Sequence, residues 1–439
     1  MFTSSPSLIQ TIERMIDATP IVDPHTHIRC DQPAAPDLAA LMSYHWVQTE
    51  LIAVGMPRED FESSLPPEER VRRSIPYLRR MRNTAMAWSF YRILADLYEF
   101  SDLDLNESNY LDLCDKVAAS GRDPGWAWRV LREKCNIRTI VTSLGNRGAD
   151  PSNDPEGVYF MLDAHYLFCP GVATDLEPFF NGRTSKREYY EALCVALGDR
   201  PTTEYQLGRL LSDWLDQTVS GRVRFSNTFL PIEYRPQLVD ELRVRGVLSK
   251  AAQGVPLNDA QVDVLAGFVS SEVLLWHHEN RKAFQIAVGA EYFICEGKSI
   301  PRYQETWTSE MARMFHHFGG ARFDLMVASD LLTHETTVLA RQFPNVYASG
   351  YWWHNFFPST IEKIVSLRLQ VAPMTKFSGF LCDAYYAEWT YGKLQVVKKA
   401  MATALARLVE AGFAREEDLP AILQQILHDT PQDLYDLKD

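Results

Sequence analysis

His25 and His27 stand two residues apart at the end of Pro20-Ile-Val-Asp-Pro-His-Thr-His27. Ile21 and Val22 are β-branched and apolar, the profile of a buried strand. Side chains on a strand alternate between faces, so histidines at i and i+2 project the same way from its end. Two imidazoles on rigid backbone supply half of a divalent-metal site. The plain alternative is a pair of polar residues in a turn, and the missing ligand must come from elsewhere in the chain. Asp383 closes the apolar run Phe377–Asp383. If these two runs are the first and last strands of a closed barrel, they are neighbours, and Asp383 approaches the pair. Two nitrogen donors and one carboxylate, with open positions left over, form the pattern of a catalytic divalent site. Zinc suits the donor set best, with Mn2+ and Fe2+ as alternatives. The competing role for Asp383 is a helix N-cap after its strand.

Other polar groups fall near predicted strand ends. Trp352 and Trp353 follow the apolar run Val346–Tyr351. Such a pair is commonly core, and at a barrel mouth it can wall a pocket that stacks on a sugar face. His334 lies five residues beyond the run ending at Ser329, which ranks it below the first pair. His165, His277, His278, His316, His317 and His428 sit on helical patterns, where a surface or satisfied-core role suffices.

These residues need a frame to hold them. Leu8, Ile9, Ile12, Met15 and Ile16 recur at helical spacing before the first strand. From Asp37 to about residue 133 the patterns are almost all helical, including the aromatic stripe of Met86–Leu97, read as core packing. Residues 33–133 are thus expected to form a helical insertion over the barrel mouth, offering Tyr44 or His45 to the pocket. Thereafter apolar runs alternate with helical segments: Arg138–Ser143, Tyr166–Ala173, Arg222–Ser226, Phe284–Gly289, Phe323–Ser329, Val346–Tyr351 and Phe377–Asp383. Alternating β and α signals imply parallel strands with right-handed crossovers. Eight such units predict an α/β fold, a (β/α)8 TIM-type barrel in one domain over 1–439, with the site at the strands' C-terminal ends.

Composition narrows the partners. The 439 residues carry 44 Lys and Arg against 57 Asp and Glu, a formal charge of −13, and no basic run offsets it. That argues against nucleic acid or an acidic membrane surface as partner. Seven scattered cysteines, never spaced C-x-x-C, read as reduced thiols of a cytoplasmic protein. The start lacks the basic and apolar regions of a signal peptide, and no apolar run is long enough to cross a bilayer. Barrels of this sort often associate, so a homo-oligomer is compatible with the sequence.

The histidine pair, the tandem tryptophans and the closing aspartate resemble the uronate isomerase (glucuronate isomerase) family, part of the amidohydrolase superfamily of metal-dependent barrels. Ser43-Tyr44-His45-Trp46, Arg82-Asn-Thr-Ala-Met-Ala-Trp88, Arg341-Gln-Phe-Pro-Asn-Val346 and Gly379-Phe-Leu-Cys-Asp383 resemble further segments of that family. The resemblance implies a metal bound by His25, His27 and Asp383, and a sugar-acid substrate. It also implies proton transfer by Asp383 with Tyr44 as partner. His45, Trp352 and Trp353 then line the pocket. The chain departs from the family where the substrate carboxylate is gripped. Tyr385 stands where the family's strand-eight T-D-S-R motif has arginine. The predicted third-strand end, Ala173-Thr-Asp-Leu-Glu-Pro178, has no arginine either, and Asn227-Thr228 and Ala287 replace the family's strand-four Asp-His pair and strand-five histidine. Tyrosine cannot reproduce a bidentate guanidinium grip. Carboxylate recognition is then left to Arg29, Arg82 or Lys393, or the substrate is not an ordinary uronate. Three activities stand at this point: an aldose–ketose isomerase of a uronate or related sugar acid, a mononuclear metal-dependent hydrolase or decarboxylase, and a non-catalytic sugar-acid binding protein.

Overall fold

Eight strands pair in parallel in one sheet: β1 (Ile21–Thr26), β2 (Ile137–Ser143), β3 (Val158–Asp163), β4 (Val223–Leu230), β5 (Ala283–Val288), β6 (Arg322–Val327), β7 (Val346–Ser349) and β8 (Phe377–Ser378). The computed structural model describes residues 5–62, 64–171, 186–236, 239–295 and 298–437. A short antiparallel hairpin, Ala290–Cys295 with Lys298–Pro301, stands between β5 and β6. The two edges of the sheet meet at the strands' C-terminal side. There Asp383 N–H donates to the His25 carbonyl at 2.9 Å, and His27 N–H to the Ala384 carbonyl at 2.8 Å. Lower in the seam, Gly379 N–H donates to the Ile426 carbonyl at 2.7 Å. The predicted eighth strand is therefore a strand only over Phe377–Ser378, because the partners of the next residues belong to the C-terminal segment and to β1. The fold is a (β/α)8 barrel with a large helical insertion after β1.

The third predicted strand is displaced. Tyr166–Ala173 was expected; the strand is Val158–Asp163, and Tyr166 lies on the helix His165–Phe168. Val158–Leu162 and Tyr166–Cys169 are both apolar and buried. Periodicity cannot separate a short buried helix from a buried strand, and the nearer run satisfies the ladder to β2. Residues Ala173–Pro178 lie outside the described residues.

The barrel interior is layered. Val22, Val141, Met161, Phe225, Ala283 and Tyr435 form a lower apolar cluster, and Phe229, Ala287, Met326, Trp352 and Leu381 an upper one. Between them the strand register sets Asp163 beside Asn227, Asn227 beside Gln285, and Gln285 beside Asp324. Residues two apart on a strand share a face, so this polar row also faces inward.

Between β1 and β2 the chain is helical. The helix Ala85–Tyr98 buries Met86, Phe90, Ile93, Leu94 and Leu97, as the aromatic stripe implied. It packs on Ala387–Glu410, where a Cβ on Gly392 would lie 2.7 Å from the Ile93 side chain, so glycine permits the close approach. Glu388, fully buried, accepts from Tyr98 Oη at 2.9 Å, Trp126 Nε1 at 3.0 Å and Ala35 N at 3.2 Å, tying the insertion to this helix. No helix among the described residues is long and apolar enough to cross a membrane.

Candidate active site

Pro24 lacks an N–H, and the β1–β2 register shifts between Asp23 and Thr26. Beyond the shift, His25 Nε2 lies 3.6 Å and His27 Nε2 3.1 Å from Asp383 Oδ1. Asp383 follows β8 with φ of 51°, in the left-handed region that aspartate enters more readily than most residues. The three potential ligand atoms lie within 4.8 Å of one another, and among the described residues this is the one such group. His25 Nε2 is buried without a hydrogen-bond partner. A buried imidazole nitrogen in that state costs free energy that a bound cation would recover, so the donor set fits a divalent ion.

The surrounding charges support an ionised carboxylate. Burial disfavours the Asp383 anion, but the adjacent imidazoles of His25 and His27 and the charge of Lys393 outweigh it and hold its pKa well below the usual range. Lys393, itself fully buried, donates to the carbonyls of Asp383 (2.9 Å) and Cys382. Burial lowers its pKa, and the Asp383 charge opposes that fall. Burial pushes His45 down to about 3, against the pull of Asp383, leaving a neutral ring whose Nδ1 has no hydrogen-bond partner.

The remaining candidates divide. Tyr44 Oη donates to the Asp383 carbonyl at 3.3 Å, and its ring stacks on Trp389. Tyr385 stands with its ring centroid 5.5 Å from His27 and 5.6 Å from His45. Trp353 packs edge-on to Trp46, while Trp352 belongs to the upper apolar cluster with Phe229. Arg29 is not held at the ligand cluster; it is exposed and forms a two-pronged pair with Asp31 at 2.9 and 2.6 Å. Arg82 is likewise held within the insertion, by Asp104 at 3.1 Å and the Leu103 carbonyl at 3.2 Å. His334 is exposed on the helix Thr333–Gln342. Of the three cations considered for a carboxylate grip, Lys393 alone meets the cluster's backbone.

Several groups at the site escaped the sequence reading. Gln285 Oε1 lies 2.6 Å from His25 Nδ1. Asp163, at the end of β3, accepts from Ser143 Oγ; burial raises its pKa, countered by Ser143 and by the nearby His27 and His25. Each is a polar residue inside an apolar strand run, a signal visible in Val-Tyr-Phe-Met-Leu-Asp163 and Ala-Phe-Gln285-Ile-Ala-Val.

The fold and this cluster define a class: a (β/α)8 barrel with a divalent-ion donor set at its C-terminal mouth. No protein-family model matches the chain. In sequence it is similar to the uronate isomerase of Thermotoga petrophila, 22% identical over 210 residues, covering 45% of this chain and 46% of that protein. The match thus spans just under half the length of that relative. In fold it is similar to the Thermotoga maritima uronate isomerase, with a TM-score of 0.82 at 17% identity over 99% of this chain and 100% of that one. The glucuronate isomerase of Caulobacter crescentus gives 0.83 at 15% identity, over 100% of this chain and 96% of that one. The chain is thus similar to uronate isomerases in sequence over just under half its length and in fold over nearly all of it.

Proposed function

We propose that the chain is a metal-dependent aldose–ketose isomerase acting on a uronate or a related sugar acid. The observation that carries this reading is the gathering of His25, His27 and Asp383 across the barrel seam, with His25 Nε2 buried and unpartnered. Zinc is the first choice for the ion, with manganese and iron as alternatives. When bound, it supplies positive charge that lowers the cost of oxyanion development on adjacent sugar oxygens. The protein's own groups then divide the work. Asp383, ionised, takes and returns the sugar hydroxyl proton. Tyr44 serves as a positioning residue: its hydroxyl is engaged by the Asp383 carbonyl, and burial, with the Asp383 charge, raises its pKa well above the ordinary value. His45, neutral, and Tyr385 wall the side of the pocket next to His27.

The substrate range is expected to differ from that of an ordinary uronate isomerase, because Arg29 and Arg82 are engaged by acidic partners and tyrosine stands at 385. The mononuclear hydrolase or decarboxylase remains the competing reading, favoured by the single three-ligand group among the described residues. The metal-loaded protein incubated with glucuronate, galacturonate and a panel of modified sugar acids, followed by NMR, separates the readings. Ketose signals from wild type and none from Asp383→Asn are expected. Metal binding without interconversion of any aldose–ketose pair, or cleavage products in its place, overturns the isomerase.

A further inference from the structure

We propose that Gln285, held from below by Tyr435 and Asp324, is a positioning residue that fixes the proton of His25 on Nδ1 and so presents Nε2 as the donor to the metal. The proposal rests on the metal-site reading above. Gln285 Oε1 lies 2.6 Å from His25 Nδ1. On its other side, Gln285 Nε2 donates to Tyr435 Oη at 2.7 Å and to Asp324 Oδ2 at 3.3 Å, and the Tyr435 hydroxyl also donates to Asp324 Oδ2. All four residues are fully buried, so water does not compete.

The direction of each bond follows from the chemistry of the groups. Asp324 Oδ2 accepts from the Tyr435 hydroxyl, so the carboxylate acts as acceptor. The Gln285 amide nitrogen must therefore face it, because the reversed amide would set a carbonyl oxygen against a carboxylate oxygen. With the nitrogen turned down, the amide carbonyl faces His25. A carbonyl only accepts, so Nδ1 carries the proton and the Nε2 lone pair is left free. Nε2 is the atom that lies 3.6 Å from Asp383 and has no hydrogen-bond partner. Ligating histidines commonly bond through their other nitrogen to a group that fixes tautomer and ring orientation. Here the support comes from the far end of the chain. Tyr435 enters the barrel floor with Leu434 and Leu437, its ring centroid 4.2 Å from that of Phe225. The plug that seals the barrel thus also sets the polarity of the metal centre.

Zinc affinity by chelator competition, on variants shown to be folded by thermal melts, tests the relay. Gln285→Leu should weaken binding by about 10–100-fold, and Tyr435→Phe, which keeps the ring against Phe225, by about 3–10-fold. Because Tyr435 acts through Gln285, the double variant should bind no more weakly than Gln285→Leu alone. Affinities within about twofold of wild type for both single variants, or fully additive losses in the double variant, overturn the relay. A second readout needs neither metal nor turnover. In metal-free protein above the imidazole titration range, nitrogen-15 NMR of labelled histidines should show the His25 proton on Nδ1, and a mixture of tautomers in Gln285→Leu. A proton on Nε2 in wild type overturns the relay, even where Gln285→Leu does not fold. A wild type that binds no zinc instead overturns the metal reading, and the NMR result alone then decides the relay.

Discussion

Asp383 is where the site is most exposed to test by single residues. His25 and His27 come from one strand end, but only the turn after β8, with its positive φ, brings a carboxylate within 3.1 Å of His27. His27→Ala and Asp383→Ala should each lose most of the bound ion by elemental analysis; unchanged stoichiometry in both removes the assignment. Tyr385 offers the complementary gain. An arginine there would lie beside His27 and His45, where a guanidinium could pair with a substrate carboxylate. A charge-assisted hydrogen bond contributes about 1.5–3 kcal/mol. Tyr385→Arg should therefore raise kcat/KM for glucuronate by about one to two powers of ten, at about 1.4 kcal/mol per decade. No gain over wild type would show that the position does not face the substrate's acid group. The histidine pair and Asp383 were legible because each ends an apolar run. The partners of Arg29 and Arg82 were not, since an ion pair depends on where a long flexible side chain finds an acid.

At the scale of the element, the helix Asp259–Glu279 shows how a buried polar group ties a helix to the sheet. His277 is fully buried; Nδ1 donates to the Val273 carbonyl at 2.8 Å, so Nε2 accepts from Ser226 Oγ on β4 at 3.0 Å. Burial lowers its pKa to about 4, against the Val273 bond, which raises it. The unfolded chain takes up this proton first as pH falls below the ordinary value near 6.5. The native state is therefore fully favoured above that value, and the advantage shrinks as pH falls towards 4. Between pH 7 and pH 5 the loss should be about 2 kcal/mol, seen as a falling midpoint in urea titrations. His277→Gln should flatten that part of the slope; an unchanged slope would assign the acid sensitivity to other groups. Helical periodicity placed His277 on a helix and left a surface or a satisfied-core role open; the geometry selects the second. The periodicity gave no hint of Ser226, because helix-to-strand pairing is not written in either local pattern.

For the molecule as a whole, barrel closure depends on its last described segment. β8 is two residues long, and the seam below it is filled by the Ile426 carbonyl and by Leu434, Tyr435 and Leu437. Leu434 is buried to 2% exposure in the lower cluster. Leu434→Ala should cost about 2–5 kcal/mol of global stability, the range for leucine truncation in a packed core. Denaturant unfolding should report it as a lower midpoint with unchanged slope. A loss below about 0.5 kcal/mol, the usual size of a surface substitution, would mean that the plug is dispensable to the barrel.

Local chemistry along the chain determined the β1 strand, the His25–His27 spacing, the alternation of strands and helices, the helical nature of the first insertion and Asp383 as the closing acid. These are properties of neighbours, set by side-chain period and residue type, and they are visible wherever they are strong. The tertiary structure alone decided which of two apolar runs became β3, since both could be buried and only one pairs with β2. It also decided that the seam closes on Asp383 and Ile426 rather than on a longer eighth strand. Finally, it brought together His25, Gln285 and Tyr435, whose hydrogen bonds span sequence separations of 260 and 150 residues. Contacts of that reach arise from closure of the whole sheet, and no period in the sequence records them.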